Sequence, residues 1–384
     1  MTPDSKQRKR CDTYDVVRPD RGAAGNVRAD HHLDAPGVAE APLPLALLIL
    51  FRAAGIASIL LILFAVYRMQ DGPLRELIIW TETVYVTVTA FALLLSVVRY
   101  FGFELARHFR HRRVLRILSS STAFLLAALL ISAAYMVPSI HNAVTLRTVT
   151  YDVPVDKSCG TDALSVAVIS DFHIGGGARR SELDQMAALL TAADPDVILI
   201  DGDVCDSSSS TDDLAYMEEI LRGLHCRYGV FYAEGNHEQE CRFDPDPYLL
   251  RAGVSILRDE GVQLENGVNI VGRRNALVTG VPRIMADCGL DAAAPTVLLQ
   301  HRAKGLSQLE GIADVVACGH THGYQFPFLG ILMPYQRDIS YGHRMYGETH
   351  VIVSSGVAEW GYRTKWPSQS EVTLIRMSFK EAAA

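Results

Sequence analysis

Five short apolar runs in this chain each end in a residue type that binds metal. The sequence reads SVAVIS-Asp171-Phe-His173, VILI-Asp201-Gly-Asp203, VFYAE-Gly-Asn236-His237-Glu238, VLLQ-His301 and VVAC-Gly-His320-Thr-His322. In open α/β sheets, ligands gather at the carboxyl ends of the strands, so five such endings point to one site. Asp171 and His173, like His320 and His322, are i and i+2, which on an extended chain puts both side chains on one face. Gly202, Gly235 and Gly319 each precede a candidate ligand, where the backbone must turn sharply. Asp171, His173, Asp203, Asn236, His301, His320 and His322 are too many donors for one tetrahedral ion. They suit two divalent ions, with Asp203 as the natural bridge. Mixed carboxylate, amide and imidazole donors favour Mn, Fe, Zn or Co over Ca or Mg. Two such ions stabilise the attacking and leaving oxygens of an in-line displacement at phosphorus, and activate water without a Ser or Cys nucleophile.

The elements that must position these residues are legible as pattern. Near-continuous apolar strands are expected at Leu164–Ser170, Val197–Ile200, Val230–Ala233, Thr296–Leu299 and Val315–Cys318. Amphipathic helices are expected at Ser181–Ala193 and Asp212–Leu224. This alternation implies α/β architecture with sheet buried on both faces. Closely spaced strands around Ser255–Arg258, Val262–Val271 and Ala276–Val281 make the sheets mixed. Gly175–Gly177 lacks the Lys-Ser/Thr ending of a phosphate-binding loop and reads as an ordinary turn. His225, His343 and His350 read as core histidines.

The remainder of the chain has a different character. Of its 384 residues 49% are hydrophobic, against 36 basic and 43 acidic side chains, a balance that excludes disorder of the whole. Residues 1–42 read as a disordered basic tail, 43–137 as a membrane domain and 138–384 as a soluble domain. Three runs, Leu43–Tyr67, Leu77–Val98 and Ile117–Val137, are long enough to cross about 30 Å of hydrocarbon. Arg52 and Glu82 lie within them, near the interface. Seven Lys/Arg precede the first run and six (Arg99, Arg107, Arg110, Arg112, Arg113, Arg116) lie between the second and third. Only Arg68 and Arg75 separate the first two, and only Arg147 and Lys157 closely follow the third. The positive-inside rule then puts the N-terminus in the cytoplasm and the acidic C-terminal domain outside it, on a multi-pass cell-membrane protein. A net acidic domain argues against nucleic acid as a partner. Its six cysteines form no C-x-x-C pair. At most one bridge is expected, among Cys159, Cys226, Cys241 and Cys288, with Cys205 and Cys318 buried and free.

The motifs D-x-H, G-D-x-x-D (Gly202, Asp203, Asp206), G-N-H-E (Gly235–Glu238), a lone His301 and G-H-T-H (Gly319–His322), in this order, resemble the calcineurin-like metallophosphoesterase family. G-H-T-H-G-x-Q and the later Gly356, Arg363 and Glu371-Val372 are similar to its bacterial membrane-anchored members, some of which act on UDP-2,3-diacylglucosamine or general phosphodiesters. The resemblance covers about 145–384. It implies a four-layer αββα sandwich with mixed β-sheets, here preceded by three transmembrane helices. One metal would take Asp171, His173, Asp203 and His322, and the other Asp203, Asn236, His301 and His320. His237 would contact the phosphate and protonate the leaving group, with Asp206 and Glu238 supporting the ligands. Arg302 and Arg363 are candidate phosphate contacts. Tyr324, where close relatives have Gly, and the Pro missing after His301 affect substrate preference. The expected function is membrane-anchored, metal-dependent hydrolysis of a phosphoester or pyrophosphate, on a phosphorylated small molecule or a lipid-linked substrate at the bilayer. The alternatives are a nucleotidase or nuclease, or a non-catalytic binding protein on the same fold.

Overall fold

The computed structural model describes residues 45–69, 72–275, 277, 280–323, 325 and 339–380. The expected tail and Tyr324 lie outside them. Chain contacts separate Met1–Phe51 from Arg52–Ala384. Four helices come first: α1 (Leu45–Arg68), α2 (Pro73–His108), α3 (Arg112–Leu118) and α4 (Ser121–Val144). Of these, α2 and α4 are long and apolar enough to cross a membrane, whereas the qualifying stretch of α1 is shorter, Ala53–Ala65. The third apolar run is not one continuous helix. It breaks at Ser119-Ser120, because the Ser120 side chain accepts a hydrogen bond from the Ala123 amide and caps α4.

α2 and α4 lie side by side, with the Phe91 and Tyr135 rings 5.3 Å apart and Arg99 over the Phe124 ring. Their outer faces expose large apolar side chains, among them Leu94, Val98, Phe101, Leu126 and Leu130. Such a belt is costly against water and favourable against lipid.

α4 runs directly into the soluble part and is stitched to it. Asn142 O accepts from the Ser370 amide at 2.9 Å, and Ser139 O accepts from the Lys365 amide at 3.0 Å. The Ser370 hydroxyl donates to Ala143 O at 2.7 Å. There follow β1 (Arg147–Val155), β2 (Ala163–Ile169), α5 (Arg180–Ala193), β3 (Val197–Asp201), α6 (Thr211–Arg222), β4 (Val230–Ala233), α7 (Asp246–Arg251) and β5 (Val254–Ile256). The chain continues with β6 (Glu260–Gln263), β7 (Asn269–Gly272), α8 (Val281–Asp287), β8 (Thr296–Leu299), β9 (Val315–Cys318), β10 (Gly342–Tyr346), β11 (Thr349–Val353) and β12 (Glu371–Phe379).

The strands make two six-stranded sheets, ordered β1-β12-β2-β3-β4-β5 and β10-β11-β9-β8-β7-β6. Both are mixed: β12 runs antiparallel to β2, and β6 to β7, beside parallel pairs such as β2–β3 and β8–β9. One apolar core lies between the sheets, where Val166, Val168 and Leu199 of the first meet Ile270, Val297 and Val315 of the second. A second core packs α5 and α6 on the first sheet through Leu183, Met186, Leu214 and Met217. A third packs α8 on the second through Ile284 and Met285. The layers are therefore helix, sheet, sheet, helix.

All five expected strands and both expected helices are present within a residue or two. The strand expected over Ala276–Val281 lies largely outside the described residues, which omit 276, 278 and 279. Val281 instead opens α8, with Pro282 in its first turn, a position that suits proline in a helix and not in a ladder. His225 and His343 are exposed rather than core; only His350 is buried. The cysteine expectation is also corrected: Cys205 is bridged to Cys241, with Cα atoms 6.2 Å apart across 36 residues. Folding brings the turn after β3 against the segment after β4, a proximity that spacing alone does not reveal.

Candidate metal centre

Each of β2, β3, β4, β8 and β9 delivers its terminal side chains to one end of the sandwich. The delivery is not by extended chain, as the i, i+2 argument supposed. Asp171, His173, Asp203, His320 and His322 all have left-handed backbone, with φ of 57°, 44°, 52°, 69° and 49°. Non-glycine residues rarely adopt this conformation, which costs each about 1–2 kcal/mol. Two adjacent loops hold it in place: the Asp171 amide donates to Gly202 O at 3.1 Å and the His173 amide to Asp203 O at 2.9 Å. Gly202 has φ +74°, and a Cβ there would lie 2.5 Å from the Gly235 backbone, so only glycine lets the β3 and β4 turns close on each other.

The side chains meet as the motif order implied. Asp171, His173 and His322 form one group, His173, Asp203 and His237 a second, and Asp203, His301 and His320 a third. Within each group the ligand atoms lie within 4.8 Å of one another. Asp203 belongs to two of them. Its Oδ2 is 2.9 Å from His301 Nε2 and 3.7 Å from His173 Nε2, while its Oδ1 accepts from the His237 amide at 2.8 Å. Second partners fix the rings: His301 Nδ1 faces Asp201 O at 2.6 Å and His322 Nδ1 faces Ala358 O at 3.1 Å, leaving both Nε2 atoms for the centre. The rings of His173 and His322 are stacked 5.1 Å apart.

Buried donors without partners test whether cations fit here. Both ring nitrogens of His173, Nε2 of His301, Oδ1 of Asn236 and Oδ2 of Asp206 are buried with no hydrogen-bond partner. Native proteins rarely leave such atoms unmatched, and a cation would satisfy them together. Burial opposes the charge on Asp203, but the His301 and His173 imidazoles outweigh it and hold the carboxyl well below the usual range. Burial pushes His320 down to about 4 and His322 down to about 3, so both are neutral, the form that ligates. The residues present fit divalent metal.

The supporting residues fall where the motif placed them. Glu238 is half-buried and accepts from the Val204 amide at 2.7 Å and the Gly235 amide at 2.8 Å, tying the β3 and β4 turns. Asp206 accepts from the Ser208 amide at 2.8 Å, and its Oδ2 lies 3.6 Å from His173 Nδ1. Gln300 replaces the rigidity of a proline after His301 by donating to Arg302 O at 3.0 Å and Lys304 O at 2.9 Å. Arg302 is half-buried beside His320. Arg363 is fully buried, and its guanidinium is engaged by Gly177 O, by Glu359 at 3.0 Å and by Glu76 of α2 at 2.7 Å.

Two residues were not singled out from the sequence. The Asp201 carboxyl is buried with neither oxygen hydrogen-bonded, and burial pushes it up to about 8. Its signal was its place two residues before Asp203. Trp360 lies with its ring 5.4 Å from that of His237; nothing in its surroundings in sequence marks it.

Residues 164–324 match the family described as calcineurin-like phosphoesterase. The chain is similar to an uncharacterized metallophosphoesterase of Campylobacter jejuni, 29% identical over 67% of this chain and 70% of the relative. It is similar to an uncharacterized metallophosphoesterase of Helicobacter pylori, 28% identical over 57% and 61%. It also resembles a bovine transmembrane protein with metallophosphoesterase domain, 26% identical over 65% and 61%. The chain thus spans less than two thirds of the latter two relatives. Family match, motif order and converging donors agree: residues 164–324 resemble a calcineurin-like phosphoesterase domain, the mark of a metal-dependent phosphohydrolase.

Proposed function

We propose that this chain is a membrane-anchored phosphoesterase with two divalent ions, acting on a phosphoester or pyrophosphate whose substrate is held at the bilayer. A lipid-linked phosphate such as UDP-2,3-diacylglucosamine is of the right class. One observation carries the bilayer part of this reading. Trp360, in ring contact with His237, packs together with Tyr362 against Ile62 and Ala65 of α1 and Ile79 of α2. The catalytic edge therefore adjoins the apolar helices.

Asp171, His173, Asp203 and His322 would hold one ion, and Asp203, Asn236, His301 and His320 the other. When bound, the ions supply charge neutralisation of the phosphoryl group and activation of water. His237 lies at the rim, backbone-anchored to Asp203 Oδ1, with Nδ1 3.3 Å from Glu240 Oε2. From this rim position His237 would hold or donate a proton to a leaving oxygen. Glu238 and Asp206 keep the loops and the His173 ring in register. Arg302 stands beside His320, where it can attract the anionic substrate.

The test is hydrolysis by the detergent-solubilised full chain of mono-, di- and pyrophosphate esters, with Mn, Zn, Co and Mg compared and with lipid-linked and water-soluble substrates in parallel. Preference for the lipid-linked ester in mixed micelles supports the proposal. Equal or faster turnover of free mononucleotides would favour the nucleotidase reading instead.

A further inference from the structure

Arg75 stands near the start of α2, where an arginine ordinarily extends its head toward water. Here it is 1% exposed. Its Nε donates to Ala65 O of α1 at 3.0 Å, its Nη1 to Gly175 O at 2.9 Å and its Nη2 to Gly176 O at 3.3 Å. The next carbonyl, Gly177 O, accepts from Arg363, which is paired to Glu76 of α2 at 2.7 Å. Two guanidinium groups, one on α2 and one clamped by α2, thus hold three consecutive glycine carbonyls.

Those glycines follow His173 after a single residue, Ile174. The Gly176 amide donates to His173 O at 2.8 Å, the Gly177 amide to the same oxygen, and the Ala178 amide to Phe172 O at 2.8 Å. The turn therefore sets the backbone of the residue carrying the imidazole. Three glycines in a row have no side chains to fix them and lose the most freedom on ordering, so the restraint must come from outside. Arg363 also binds Glu359 at 3.0 Å. The adjacent Ala358 donates its amide to Asp171 O at 3.2 Å and presents its own carbonyl to His322 Nδ1. Both arms of the clamp thus end on one group, Asp171, His173 and His322.

We propose that the first turn of α2 is part of the metal centre as well as its anchor, with Arg75 and Glu76 acting as positioning residues for Asp171, His173 and His322. The inference rests on the metal-centre reading above. It predicts an asymmetry, because among the described residues no such tie links His301 or His320 to α2.

The test uses the full chain in detergent micelles, stripped of metal and titrated with Co(II), whose visible absorption reports ligand geometry. Arg75→Met is expected to weaken one of two sites about tenfold or more, the range for groups that orient ligands. It should also alter the cobalt spectrum and leave the other site within about twofold. Arg75→Lys should recover only part, since an ammonium cannot span the same carbonyls in fork geometry. Glu104→Gln, in the exposed pair with Arg107 at the far end of α2, should behave as wild type. If Arg75→Met proves poorly folded by circular dichroism, Glu76→Gln, which only releases Arg363, is held to the same criteria. Wild-type affinity and spectrum in the folded variant overturn the clamp. Asp203→Asn distinguishes the two ideas: if it too binds cobalt normally, the metal-centre reading fails.

Discussion

Asp171, His173, Asp203, His320 and His322 share a left-handed backbone conformation that non-glycine residues rarely adopt. Sidedness along a strand suggested their convergence, and the structure produces it by left-handed turns locked by loop-to-loop hydrogen bonds. The identities were therefore legible in the sequence while their geometry was not, because φ depends on which amides pair across loops thirty residues apart. His237 does not share this strain; it follows the sharp turn at Gly235 and opens a short helical turn, His237–Glu240. This rim residue gives the sharpest expectation at this scale. His237→Ala should keep its metal and lose about 10²–10⁴-fold in turnover of alkyl esters, the usual worth of general acid catalysis. A nitrophenyl ester, whose leaving group scarcely needs a proton, should lose much less. Equal losses would assign His237 to phosphate positioning, and loss of metal would make it a ligand.

Between elements, covalent and polar ties matter more than local propensity. The Cys205–Cys241 bridge joins the turn bearing Asp203 to the short helix bearing His237. Closing a loop of this length removes freedom from the unfolded chain worth about 2–4 kcal/mol. Cys241→Ser, or the wild type under reductant, should show a lower thermal midpoint, with the rim losing its order first by hydrogen exchange. An unchanged midpoint would mean that the loops are held by Glu238 alone. Six cysteines allowed many pairings, and only the packed turns select this one.

The segment after β11 carries a second testable tie. Lys365 is fully buried, its ammonium donating to Ser355 O at 2.6 Å and Gly356 O at 3.1 Å, and burial pushes it down to about 8. A lysine lowered in the folded state binds fewer protons there than in the unfolded chain between pH 8 and its ordinary value of about 10.4. Stability should therefore rise with pH across that window, by up to about 3 kcal/mol from this group. Lys365→Met should abolish that rise when denaturation is compared with wild type at matched pH.

For the whole molecule, we propose from the distribution of Lys and Arg that the C-terminal domain lies outside the cytoplasm. A reporter active only outside the cytoplasm, fused after Ala384, should be active; activity of a cytoplasm-only reporter there would reverse the orientation. Five central strands and the apolar helices α2 and α4 were readable from hydropathy, whereas β1, β10, β11 and β12 were not singled out. Their mutual attachment was not. Arg75, counted from the sequence as a flanking charge, is consumed by loop carbonyls, and Arg363, a candidate for phosphate, is consumed by Glu76 and Glu359. The Arg75–Gly175 pairing joins residues 100 positions apart and Arg363–Glu76 joins residues 287 apart, so neither leaves a local pattern.

The length of α2 has a mechanical consequence. Its 36 residues rise about 54 Å at 1.5 Å each, well beyond the roughly 30 Å of a hydrocarbon slab. Its apolar run Leu77–Val98 is close to that thickness, so a span there would leave the charged end with Arg99, Glu104 and Arg107 projecting beyond the slab. The other end of this helix grips the turn behind His173. Were α2 to cross a bilayer, any tilt that the bilayer imposed on it would reach the ligand loop through Arg75 and Glu76.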